Sequence, residues 1–121
     1  MTTTQFLLGI GIGAVTGVLA ALCGVGGGLI MVPAFVFFFA LDQKSAVATS
    51  LAVIIAVSLV ATTKYASGSL VNWHVVLPVM IGAVATTWVA ADWLKLLSND
   101  ILTRAFAILM IVVGIRMLFV R

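Results

Sequence analysis

Four glycines lie close together in the stretch ALCGVGGGLIMVP (residues 21–33), between two strongly apolar runs. Glycine has no Cβ, so an anion can come close to the backbone amides of such a stretch. A helix that begins after the break presents unpartnered N–H groups at the positive end of its dipole. The stretch therefore predicts an anion site built from backbone amides. Its predicted members are Gly24, Gly26, Gly27, Gly28, Leu29 and Ile30.

Few polar side chains are near enough in sequence to complete such a site. Thr49 and Ser50 lie one turn into the next apolar segment, and their hydroxyls either bind the anion or bond back to the preceding helical turn. Cys23 adjoins the glycines and either contacts a sulfur-containing substrate or is a small buried apolar residue. Asn72 either lines a vestibule or closes a turn. These four residues are the candidate side chains.

Several other kinds of chemistry are not expected. One histidine and one cysteine make no metal cluster or catalytic triad, and the sequence contains no phosphate-binding or dinucleotide motif. We therefore predict no enzymatic activity, no metal and no cofactor. The net charge of +3 is small and dispersed, so nucleic acid is not an expected partner. No acidic residue falls in the middle of an apolar segment, which gives an acidic proton relay little support.

The composition places these residues in a membrane. The 121 residues are 64% hydrophobic and 7% charged, whereas soluble domains carry about 25% charged residues. Long apolar segments separated by sparse polar residues are typical of membrane spans. We predict a single membrane domain over residues 1–121, an all-α, polytopic bundle that crosses the cell inner membrane several times.

The apolar segments predict helices over about residues 6–40, 45–66, 73–95 and 101–120, the first of them interrupted at 24–28. As one helix the first segment would be about 52 Å long, against about 30 Å of hydrocarbon. It is therefore either a broken, bent span or a re-entrant hairpin beside three transmembrane helices. We favour the hairpin, because four glycines within five residues can reverse a chain.

Lysine and arginine residues divide equally between the two predicted faces, so the positive-inside rule gives no preferred orientation. With the odd number of spans that a hairpin implies, this balance predicts insertion in both orientations and an antiparallel homodimer. The alternative is a single orientation, because some of these side chains snorkel and weigh little. The two sets are Lys44, Lys95 and Arg104 against Lys64, Arg116 and Arg121.

Three motifs resemble those of one membrane protein family. The string GVGGGLIMVP (residues 24–33) resembles the first motif of the TauE/SafE, or sulfite-exporter-like, permeases. The string AVATSL (residues 46–51) is similar to the family's A-x-x-T-S-L pattern, and GSLVNW (residues 68–73) is a close but imperfect version of its next motif. The resemblance covers nearly the whole chain.

This resemblance implies a permease for small sulfur-containing oxyanions such as sulfite, thiosulfate or sulfonates. Family members usually carry two copies of the motif set, and this sequence carries one. The resemblance therefore implies that a second copy of the chain, or a sister half, completes the permease in the lipid bilayer. A passive small-anion channel and a non-transporting membrane scaffold subunit are the alternatives.

Overall fold

The computed structural model describes residues 1–120, which form five helices joined by short connections. Four of the helices are long and apolar enough to cross a membrane, and the fifth, α2, is a shorter apolar helix that follows the glycine break. The predicted all-α fold, with one broken element and three further spans, is confirmed. The helices are α1 (Thr3–Cys23), α2 (Gly28–Phe39), α3 (Gln43–Ser67), α4 (Trp73–Leu96) and α5 (Asn99–Phe119).

The helix ends follow from local sequence. Thr2 and Gln5 form a capping box at the start of α1, in which each side chain accepts a hydrogen bond from the other residue's amide. The Ser98 hydroxyl accepts from the Ile101 amide at 3.3 Å and caps α5. Gly24 ends α1 in a left-handed conformation, φ 68°, which glycine adopts without steric cost.

Helix α2 runs back along α1. A Cβ placed on Gly27 would lie 3.5 Å from the Cβ of Ala20 and 3.4 Å from the carbonyl oxygen of Thr16. At the other end of α2, Phe39 Cζ lies 3.6 Å from a Cβ placed on Gly9. The contacts therefore pair the start of one helix with the end of the other. The two helices form a hairpin, and the bent span is not observed.

Helix α3 packs against this hairpin and covers its tip. Ile54 Cδ1 lies 3.2 Å from a Cβ placed on Gly28, and Ile54 Cγ2 lies 3.6 Å from one placed on Gly26. Ile54 is near the middle of the 25-residue α3, so the hairpin tip is level with the middle of a helix long enough to span the membrane. The buried residues lie on α1, α2 and α3 and at the hairpin tip: Thr16, Ala20, Gly27, Met31, Val32, Gln43, Ala46 and Ser50.

Helices α4 and α5 extend away from this core, and neither has a buried residue. The Lys44 amide donates to Asn99 Oδ1 and the Lys44 ammonium donates to the Lys95 carbonyl, both at 3.3 Å. The start of α3, the end of α4 and the start of α5 therefore share one end of the molecule, the Lys44 end. The opposite end, which holds the turn between α3 and α4, is the Lys64 end. On the surface near that end, the Lys95 ammonium lies 4.0 Å from the Asp92 carboxylate.

Candidate anion-binding site

Three glycines give the break its shape. Gly24, Gly26 and Gly27 have φ values of 68°, 69° and 79°, in the left-handed region that costs other residues about 1–2 kcal/mol each. The Gly27 carbonyl accepts from the amides of Ile30 and Met31, at 3.1 and 2.9 Å, and so starts α2. The chain reverses within the residues 24–27, and these glycines make that turn possible.

The turn leaves a row of backbone donors free. Within residues 1–120, the consecutive amides of residues 25–29 make no hydrogen bond of good geometry to a backbone carbonyl, although residues 26 and 27 form a tight turn. Two other amides of the predicted site already donate hydrogen bonds to backbone carbonyls. The Gly24 amide donates to the Ala20 carbonyl at 2.9 Å and closes α1, and the Ile30 amide donates to the Gly27 carbonyl. The free donors are therefore the amides of residues 25–29: Gly24 and Ile30 leave the predicted set, and Val25 joins it.

Ser50 is the predicted side chain that the fold brings to the break. It is 2% exposed, and its Oγ lies 4.0 Å from a Cβ placed on Gly28. Its hydroxyl donates to the Val47 carbonyl at 2.8 Å, which is the back-bond that the sequence offers as the alternative role. A rotation about one side-chain bond is needed to turn this donor toward the hairpin tip.

The other predicted side chains are placed differently. Thr49 is exposed on α3. Asn72 lies in the connection after α3, where its carbonyl accepts from the amides of Val75 and Val76 and starts α4, so it closes a turn. Cys23 is exposed at the end of α1, so its interpretation as a buried apolar residue is wrong in this chain. Residues 1–120 contain no group of three or more histidine, cysteine, aspartate or glutamate residues placed to hold a metal ion.

The structure adds a cleft that sequence reasoning missed. It has a volume of about 530 Å³ and lies between the C-terminal halves of α1 and α3. The Tyr65 hydroxyl bridges it with a 2.6 Å hydrogen bond to the Ala21 carbonyl. The signal in the sequence was a lone tyrosine beside a lysine near the end of an apolar segment. The residues that shape the cleft are Gly17, Ala21, Ala56, Ala61, Lys64 and Tyr65.

Comparison with known proteins gives a consistent picture. The family model described as sulfite exporter TauE/SafE matches residues 2–117. The chain is 30% identical over 115 residues to the probable membrane transporter protein YunE of Bacillus subtilis, an alignment that covers 95% of this chain. It is 29% identical over 102 residues, 83% of this chain, to a probable membrane transporter protein of Xylella fastidiosa.

The same alignments define how much of those relatives is matched. They cover 42% of the Bacillus protein and 39% of the Xylella protein. The chain therefore spans about two fifths of the length of the curated relatives it matches. No solved structure shows a significant match to it.

Proposed function

This chain belongs to the sulfite exporter TauE/SafE family, a family of multi-pass membrane transporters, and on that premise we propose that it forms part of a permease for small sulfur-containing oxyanions. The observation that carries this proposal is the row of free amides at residues 25–29, level with the middle of α3. A backbone amide without a partner in hydrocarbon costs several kcal/mol. These donors therefore need a polar partner, and an oxyanion supplies several acceptor oxygens at once.

The proposed ligand set follows from the free donors. Gly26 and Gly27 are successive residues of a turn, and successive backbone amides in a turn can form a concave surface that binds anions. Gly28 and Leu29 add the first free amides of α2, at the positive end of its dipole. Ser50 completes the set when its hydroxyl exchanges the Val47 carbonyl for the anion. Sulfite, thiosulfate and sulfonates fit this chemistry.

Thr49, Asn72 and Cys23 have no such contact with the break in this chain. Thr49 is exposed on α3, and an exposed hydroxyl one residue from Ser50 is available to a neighbouring subunit. We therefore propose that Thr49 and Asn72 contribute only across an interface, from one repeat to the next. Cys23, at the end of α1, lies at the edge of the site rather than among its ligands.

We further propose that the site is completed by a second repeat in the bilayer. The chain spans about two fifths of the length of its relatives, and α4 and α5 bury no residue against the rest of the chain. A second copy or a sister half would cover these faces and bring its own glycine break opposite this one. The equal division of lysine and arginine favours an antiparallel homodimer.

Broken helices at the centre of transporters commonly move to expose a site to each side in turn. Here the hairpin is the element suited to that movement, because three left-handed glycines form its tip, and the side chains of Ile54 and Ser50 lie against it. Movement of the hairpin along α3 would carry the free amides from one face of the membrane toward the other. This movement is part of the proposal.

The test is transport by the purified protein in liposomes that contain no other protein. We expect saturable uptake of radiolabelled sulfite that unlabelled thiosulfate or methanesulfonate inhibits and chloride does not. Electrical currents far above the turnover of a carrier would identify a channel instead. Absence of any sulfite flux would contradict the proposal and favour a scaffold subunit.

A further inference from the structure

Acidic residues are confined to one end of the molecule. The sequence has three of them, and the described structure places all three at the Lys44 end. Asp42 is the N-cap residue of α3, Asp92 lies near the end of α4, and Asp100 lies in the first turn of α5. The lysine and arginine residues at that end are therefore balanced by aspartates. The Lys64 end has basic residues and no aspartate or glutamate.

Lys64 is exposed and lines the cleft between α1 and α3. The one salt bridge within residues 1–120 joins Asp92 to Lys95 at the opposite end, so Lys64 keeps its charge unpaired in the described chain. The rest of the cleft wall is almost wholly apolar, apart from the Tyr65 hydroxyl. A charge above a low-dielectric wall acts on a passing ion more strongly than one in open water.

The cleft and the hairpin tip both lie along α3. Ile54 lies against the tip, and Lys64 follows ten residues later on the same helix, which corresponds to about 15 Å of rise. Small side chains on both walls leave the space between them open. Tyr65 joins the two walls through its hydrogen bond to Ala21 and so fixes the width of the outer part of the cleft.

We propose that this cleft is the entrance through which small oxyanions reach the hairpin tip, and that Lys64 is the residue that attracts them. The inference rests on the proposed function of the tip, and it adds the route and the charge that selects the sign of the solute. Lys64 is a positioning residue in this role, because it acts before the anion meets the backbone amides. The acid-free Lys64 end supports the attraction over a longer range.

The entrance is tested through Cys23, the single cysteine, which is exposed two residues beyond the cleft residue Ala21. We would measure how fast an anionic and a cationic methanethiosulfonate reagent modify it in membranes. Removing one unit charge nearby, in K64Q, is expected to lower the anionic-to-cationic rate ratio about three- to tenfold in low salt. In 1 M salt, where screening acts within about 3 Å, the difference should disappear.

Two variants control for charge. K64R keeps the charge and should keep the ratio of the wild type. R116Q removes a charge at the same end but on α5, outside the cleft, and should change the ratio by less than about twofold because the Coulomb interaction falls with distance. If K64Q behaves like R116Q, the inference is overturned. It is also overturned if Cys23 reacts with neither reagent in membranes, because a helix of a second repeat then fills the cleft.

A transport measurement separates this inference from the proposed function. In liposomes, K64Q should raise the KM for sulfite about three- to tenfold at low salt and leave the maximal rate unchanged, because only the approach of the anion is affected. Absence of sulfite flux in the wild type would refute the proposed function. The ratio of anionic to cationic modification rates at Cys23 would still test whether the cleft attracts anions. A normal KM in K64Q would refute the entrance while the permease stands.

Discussion

The Tyr65 hydroxyl donates a 2.6 Å hydrogen bond to the carbonyl oxygen of Ala21, which is 44 residues earlier in the chain. Ala21 lies in the last turn of α1, where carbonyl groups have no partner within the helix. The bond therefore caps α1 from a different helix and ties the hairpin to α3. It lies on the outer side of the hairpin tip, where a moving hairpin would have to break or carry it.

Removing this hydroxyl should loosen the hairpin. Y65F leaves the Ala21 carbonyl without its partner, at an expected cost of about 1 kcal/mol. Thermal unfolding of the purified protein in detergent would show a lower midpoint, and Cys23 at the end of α1 would react faster with a neutral thiol reagent. T63V is the matched control, since Thr63 bonds only to Leu59 in its own helix, at 2.7 Å. Equal behaviour of the two variants would refute a tie between Tyr65 and α1.

Gly27 should tolerate no side chain. It has a φ of 79°, and a Cβ there would lie 2.9 Å from Met31 Cε and 3.4 Å from the Thr16 carbonyl oxygen. We expect G27A to destabilise the protein by about 1–2 kcal/mol through the left-handed backbone alone. G13A is the control within α1, where a Cβ meets nothing within 4 Å and alanine is favoured by about 0.5–1 kcal/mol.

Denaturation of both variants in mixed micelles measures the difference. A G27A protein as stable as G13A would mean that the tip does not hold the left-handed turn. The substitution by alanine is preferable to a larger residue here, because a bulky side chain at Gly27 must also displace Met31 and Thr16 and would confuse loss of folding with loss of function.

The sequence alone was sufficient for the break and for the spans. Glycines between apolar runs predict a reversal, and the predicted bounds of the later helices agree with the structure to within two residues. The sequence could not show which backbone amides at the break lack a hydrogen-bond acceptor. Whether the Gly24 amide is free depends on where α1 ends, and α1 continues far enough for this amide to bond to the Ala20 carbonyl. The cleft was missed because it depends on packing between residues far apart in sequence, as Tyr65 and Ala21 show.

A comparison of two serines on α3 distinguishes binding of the anion from hydrogen bonding within the helix. Ser50 and Ser58 each bond to the carbonyl three residues earlier, at 2.8 and 3.1 Å, but Ser50 is buried beside the break and Ser58 is exposed. S50A should weaken sulfite binding about three- to tenfold, the value of about one hydrogen bond, whereas S58A should leave it unchanged. Equal affinities in a direct binding assay would remove Ser50 from the ligand set.

The balance of positive charge predicts two orientations in the membrane. Lys44, Lys95 and Arg104 lie toward one end, and Lys64 and Arg116 lie toward the other, with Arg121 outside the described residues. A reporter fused after the last residue should therefore be accessible from both faces of the membrane. Adding two lysines next to Lys44 should move the reporter to a single face. A reporter confined to one face in the unmodified protein would contradict the antiparallel dimer.

The central claim, that backbone amides at the hairpin tip bind the anion, is tested most directly at Gly28. This residue is the first of α2, a helix position where proline is common, and it has no positive φ, so G28P removes one N–H at the start of the helix. G28A is the matched control, because it places the same Cβ 3.2 Å from Ile54 Cδ1 and keeps the amide. Binding of radiolabelled sulfite to the purified, correctly inserted variants gives the comparison. We expect G28P to bind at least about tenfold more weakly than G28A, since a hydrogen bond to an anion contributes about 1.5–3 kcal/mol; equal affinities of G28P and G28A would contradict the claim.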